Sequence, residues 1–147
     1  MAARFPGADI ARMMEHLRAM GAPFGITFAD RPLLSNSRRA LQAAEFARDE
    51  GRFERFHQAL FAAYFSHGLD IGNLEVLAHI AGEAGMDAGA MERAVADNRY
   101  LPRLVSAQEE ATRLGVTGVP TFFVGDTKRI TGAQPLEVFR RTLSSRP

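Results

Sequence analysis

Gly115-Val116-Thr117-Gly118-Val119-Pro120-Thr121-Phe122-Phe123-Val124 is where the chain changes its period. Upstream, apolar residues recur at helical spacing. Here they run together, β-branched and aromatic, with two glycines in front and Gly125 behind. A short apolar run bounded by turn residues reads as a strand, beginning at Pro120. Asp126-Thr127-Lys128 then reads as a turn and Arg129-Ile130-Thr131 as a second strand, so the pair forms a hairpin. Gly132-Ala133-Gln134 leads to Pro135, which suits the first turn of a closing helix carrying Leu136, Val138, Phe139 and Leu143.

Working back from this hairpin, six helices are expected. Asp9 can cap the first, whose Ile10, Met13, Met14 and Leu17 make one apolar stripe and whose end is marked by Gly21. Residues 23–32 are irregular, with a short extended piece at Ile26-Thr27-Phe28. Asn36 or Ser37 caps a second helix to about Glu50, with Ala40, Leu41, Ala44 and Ala47 inward. A third spans about 52–66 and is rich in rings: Phe53, Phe56, Phe61, Tyr64 and Phe65. Such a stripe is usually core because each ring buries a large apolar area, and one wall of a binding groove is the lesser reading. After a turn at 67–72, Asn73 caps a fourth helix with Leu74, Leu77, Ala78 and Ala81, stopped by Gly85. Asp87 starts a fifth with Ala90, Met91, Ala94 and Val95. Pro102 opens a sixth that ends at Leu114-Gly115.

The bulk properties narrow the function. The 147 residues suit one domain, 46% hydrophobic and 24% charged as in ordinary globular proteins. We read residues 1–114 as a lead-in loop and helical region and 115–147 as the hairpin-and-helix part, in one folding unit. Eighteen basic against seventeen acidic residues, interspersed, leave a net charge of +1 and no basic stripe, so nucleic acid is not an expected partner. No apolar run approaches the roughly 20 residues that cross a bilayer. Met1-Ala2-Ala3-Arg4-Phe5-Pro6-Gly7 lacks the apolar stretch of a secretory signal, so the cytoplasm is the expected location. The chain has no cysteine, which removes disulfides, thiolate nucleophiles and thiolate zinc sites together.

The stretch from Gly115 to Val124, continued by Gly132-Ala133-Gln134-Pro135, resembles the second half of a thioredoxin fold, where Val-Pro precedes an antiparallel hairpin and a last helix. With Phe56-His57, Ala63-Tyr64-Phe65, Asp70-Ile71 and Gly85-Met86-Asp87, it resembles the DsbA-like family. Within that family it is most similar to cytoplasmic FrnE-type disulfide oxidoreductases. Kappa-class glutathione transferases and hydroxychromene-carboxylate isomerases share the architecture. The resemblance covers about residues 9–143 and implies an α/β fold, mostly helical here, with a helical insertion before the thioredoxin-like end. It also implies an earlier strand, a Cys-x-x-Cys at a helix N-terminus, where the dipole stabilises a thiolate, and another strand. None of that is present in these residues. The chain begins where the family's second strand would be finishing, so a reactive segment lost, cleaved or supplied by another chain is one expectation.

By the same resemblance Pro120 corresponds to the family's cis-proline, and Gly118, Val119 and Pro120 become the expected substrate-binding residues. Val119 would pair its backbone with an extended peptide or a protein thiol or disulfide substrate, in β-fashion. A proline opening a strand for purely structural reasons is the plainer reading. No catalytic residue, metal ligand or cofactor is assigned. His16, His57, His67 and His79 lack zinc-type pairing; His57 reads as a half-buried residue among rings and His67 as a loop residue. Asp70, Asn73 and Glu75 lack the repeated acids and central glycine of a calcium loop, and read as a turn and a cap. Ser35 and Ser37 lie outside Gly-x-Ser-x-Gly and read as capping residues. A peptide-binding or assembly module without enzymatic activity, and a glutathione-using transferase or isomerase, are the alternatives. Two strands alone are marginal and leave an apolar open edge, so self-association, as a dimer, is expected.

Overall fold

The computed structural model describes residues 10–30, 34–125 and 128–144. It divides into two compact units, 1–102 and 103–147.

The first unit is helical. α1 (Ile10–Gly21) runs into a 3-10 turn (Ala22–Phe24), and α2 (Arg38–Asp49) follows. Then come α3 (Phe53–Phe61) with a π-helical turn (Ala62–Ser66), α4 (Leu74–Glu83) and α5 (Ala88–Ala96). Its core forms because α2 is lined with small residues. Ala40, Ala43, Ala44 and Ala47 are all buried, which lets α3, α4 and α5 pack closely around that helix. Phe56, Leu77 and Met91 fill the space between, each at 0% exposure. Removing a side chain such as Phe56 from a site this closed costs about 3–5 kcal/mol.

The boundaries follow the expected signals. Asn73 accepts from the Glu75 N–H at 2.8 Å and Asp87 from the Ala90 N–H at 2.9 Å, so both cap as read. Ser37 does not: its side chain makes no capping bond, and the Arg38 N–H is taken by Asn36 Oδ1 instead. Two inward assignments also change. Leu41 is 50% exposed while Gln42 and Phe46 are buried, because Leu41 lies about 200° around the helix from Ala43, facing away from the packed side. In α1, Met13 is exposed, with Met14 and Leu17 half-buried. Asp9, the Ile10 side chain and the turn at 126–127 lie outside the described residues.

Residues 26–28 form no strand. They are held by other groups: Arg18 donates to the Phe28 carbonyl at 3.2 Å and pairs with Asp30, Ala29 N–H donates to the Phe65 carbonyl, and Ser66 Oγ donates to the Thr27 carbonyl. A Cβ on Gly21 would lie 2.8 Å from the Phe28 ring, so only glycine permits this approach.

The second unit holds most of α6 (Leu101–Arg113), then β1 (Thr121–Val124), β2 (Lys128–Thr131) and α7 (Leu136–Ser144). The strands pair antiparallel, with Thr121 opposite Thr131, Phe122 opposite Ile130, Phe123 opposite Arg129 and Val124 opposite Lys128. Strand alternation puts Phe122 and Ile130 on one face, and α7 covers it: the Phe139 ring meets Phe122 edge-to-face at 5.0 Å. Lys128 Nζ reaches the Thr142 carbonyl near the C-terminal end of α7, where a cation suits the helix dipole. No helix among the described residues is long and apolar enough to cross a membrane.

Candidate functional site

The segment between α6 and β1 is built from both ends. α6 closes on Gly115, whose φ of 66° only glycine adopts freely. The Val116 N–H reaches back to the Ala111 carbonyl and the Gly115 N–H to the Thr112 carbonyl, a Schellman closure. Arg129 adds a clamp the sequence did not announce. Its guanidinium donates to the carbonyls of Leu114 at 3.4 Å and Gly115 at 3.1 Å, tying β2 to the end of α6. On the other side, Thr121 Oγ1 donates to the Gly118 carbonyl at 2.7 Å. The Gly132 N–H donates to the Pro120 carbonyl at 2.8 Å.

Held at both ends, residues 118–120 stand exposed, and the Val119–Pro120 peptide bond is cis. Val119 is 89% exposed, the most open of the large apolar side chains among the described residues. Among the described residues nothing takes up its N–H or carbonyl. A Cβ on Gly118 would meet nothing within 4 Å, so that side is open space as well.

The chemistry of this segment is main-chain chemistry. Residues 115–125 contain no Asp, Glu, His, Lys, Arg, Tyr or Cys. The only side-chain polar groups are the hydroxyls of Thr117 and Thr121, and the second is committed to Gly118. Such a segment can hold an extended chain by backbone hydrogen bonds. It offers no side chain suited to moving a proton at neutral pH and none that carries a redox electron pair.

The remaining candidates resolve into structural roles. His57 is half-buried between the Phe53 ring at 5.0 Å and the Phe61 ring at 4.5 Å, and Phe61 continues to Phe65 at 5.5 Å. The helix therefore sorts its apolar residues in two ways: Phe56 and Leu60 inside, and an outer ladder of rings of which Phe61 is half exposed. His67 is exposed just after the π turn, and His79 lies 3.5 Å from Glu83 on the surface of α4. Among the described residues no group of His, Asp and Glu is arranged to hold a metal ion. Asp70 closes a turn by accepting from the Gly72 N–H at 2.9 Å. Hydrogen bonds from Ser35 and from Gly72 hold its carboxyl below the usual pKa. Ser35 thus braces that turn rather than capping a helix.

With this geometry in view, comparison with known proteins is specific. A family model for the DsbA-like thioredoxin domain matches residues 6–144. The chain is 31% identical over 109 residues to the Bacillus subtilis (strain 168) protein YwbO, covering 71% of this chain and 52% of YwbO. A probable DsbA oxidoreductase from Streptomyces coelicolor, SCO1869, superposes with a TM-score of 0.86 at 26% identity, over 97% of this chain and 63% of that one. A 2-hydroxychromene-2-carboxylate isomerase superposes with a TM-score of 0.79 over 92% of this chain and 66% of its own, a likeness of fold at 21% identity. The chain spans about half the length of the curated relative and less than two thirds of SCO1869.

Proposed function

This chain belongs to the DsbA-like thioredoxin domain family, and we propose that its residues supply the substrate-positioning part of a thiol–disulfide exchange site, without the reactive sulfur. In such exchange a thiolate attacks a disulfide, one S–S bond forms as another breaks, and a thiolate leaves. No cysteine is present among the 147 residues, so both the attacking and the leaving sulfur belong to other groups. What these residues contribute is the exposed backbone at Gly118, Val119 and Pro120, which takes an extended segment of substrate by β-type pairing. The exposure of Val119 at the mouth of β1, with its backbone groups unclaimed among the described residues, is the observation that carries the reading.

Fluorescence anisotropy with a labelled octapeptide of alternating valine and serine tests it. The wild-type chain and Val119→Ala, which keeps the N–H, bind alike. Val119→Pro, which removes the N–H while circular dichroism shows the helices intact, binds about tenfold more weakly or worse. Equal binding by Val119→Pro, or none by the wild-type chain, would overturn the positioning role.

The lack of any cysteine also favours a second reading, a peptide-binding or assembly module with no redox partner. The two part when a synthetic strand–Cys-x-x-Cys–helix fragment is added. Disulfide reduction that needs both the fragment and the chain favours the first, and peptide binding without any reduction favours the second.

A further inference from the structure

Two grips on the segment before Pro120 come from one face of the hairpin. Side chains alternate across a strand, so Thr121, Phe123, Arg129 and Thr131 share the face turned away from the Phe139 ring of α7. From β1, Thr121 Oγ1 holds the Gly118 carbonyl. From β2, a single nitrogen, Arg129 Nη1, holds the carbonyls of both Leu114 and Gly115. The guanidinium lies directly against the end of α6: a Cβ built on Gly115 would stand 3.6 Å from the same nitrogen.

The stretch between the grips is soft by composition. Residues 116–119 belong to no helix or strand, and glycines stand at 115 and 118. Glycine has more conformational freedom to lose than any other residue, so such a stretch needs fixing from outside. The Schellman bonds secure only its first residues. Arg129 suits the remaining task. Its charge sits at the C-terminal carbonyls of α6, where the helix dipole favours a cation, and an ionised donor bonds more strongly than a neutral one.

We propose that Arg129 is a positioning residue for peptide capture, a role that rests on Val119 being the binding position. By fixing Gly115 it sets where the Val119 backbone is presented, without touching the peptide itself. The placement of its bonds separates this from a merely stabilising role. β1 and β2 already hold each other through their own ladder. The Arg129 bonds add nothing to that ladder and run to the residues that lead into 116–119. A segment fixed beforehand loses less freedom on binding, and so binds more tightly, than one that must first be ordered.

Arg129→Met keeps the aliphatic stem and removes the donors; Arg140→Met, which takes a charge from α7, is the control. Amide exchange followed by nuclear magnetic resonance on the full chain reads the segment directly. The Val116 N–H, bonded to the Ala111 carbonyl, should exchange about tenfold faster in Arg129→Met, while the Phe122 and Ile130 N–H groups keep their wild-type rates. In anisotropy with the valine–serine octapeptide, Arg129→Met should bind about fivefold more weakly and Arg140→Met like wild type. Adding Arg129→Met to Val119→Pro should bring little further loss, because both act on one segment, whereas independent effects multiply. Unchanged exchange at Val116, unchanged affinity in Arg129→Met, or losses that multiply would each overturn the positioning role. Faster exchange along the whole hairpin would overturn it too, by making Arg129 a residue that holds the fold. No binding by the wild-type chain overturns the reading of Val119 instead, and the exchange contrast still decides whether Arg129 fixes the segment.

Discussion

Tyr100 is a residue whose role no sequence pattern exposed. It is 4% exposed, its ring edge meets Phe46 at 6.3 Å, and its hydroxyl donates to Asp49 Oδ2 at 2.9 Å. Burial, and then the Asp49 carboxylate beside it, raise the phenol above its ordinary pKa of 10.0. The folded chain thus holds this proton longer than the unfolded one. The stability from this group is complete below pH 10 and falls as pH rises through the raised value. Tyr100→Phe should cost about 1 kcal/mol in urea unfolding at neutral pH. The gap between wild type and variant should narrow above pH 10; a gap that stays constant would contradict this assignment. Residue-level legibility elsewhere was uneven for a physical reason. The cis bond at Val119–Pro120 could be read because its residues are contiguous in the chain, whereas the Arg129 clamp on Leu114 and Gly115 joins residues that only the fold brings together. Gln42 is the opposite case, a polar residue buried in α2 whose Oε1 has no partner among the described residues, where polarity argues for the surface.

At the scale of elements, local chemistry was the most legible. Helix starts at Asn73 and Asp87 and stops at Gly85 and Gly115 could be read because caps and glycine closures depend on neighbours within a few residues, whereas after α1 the left-handed glycine is Gly25, beyond the 3-10 turn, and not Gly21. What failed depends on distant packing. Leu41 faces out because α3, α4 and α5 gather on the alanine side of α2. The segment 26–28 stays irregular because its backbone is taken elsewhere: the Ile26 N–H by the Gly21 carbonyl, the Thr27 carbonyl by Ser66 and the Phe28 carbonyl by Arg18. The π turn at Ala62–Ser66 had no signal in the ring spacing that preceded it. Two substitutions separate a real cap from an apparent one. Asn73→Ala removes the acceptor of the Glu75 N–H and should destabilise by about 1 kcal/mol. Ser37→Ala, whose hydroxyl makes no such bond, should cost much less. Equal losses in chemical denaturation would show that the N-cap bond at 73 matters less than its geometry suggests.

The whole molecule joins a helical unit with a well-filled core to a hairpin unit that buries little of itself. The family likeness was legible from 115–135 because that stretch combines a change of period, the Val-Pro step and a proline-led helix in one short segment. The central functional claim belongs to this scale: we propose that a disulfide-exchange architecture serves here as a holder of substrate with no cysteine of its own. Turbidimetric reduction of insulin disulfides by dithiothreitol tests that claim most directly. Purified chain added to the reaction should leave the rate at that of dithiothreitol alone, and turnover clearly above that control would contradict it.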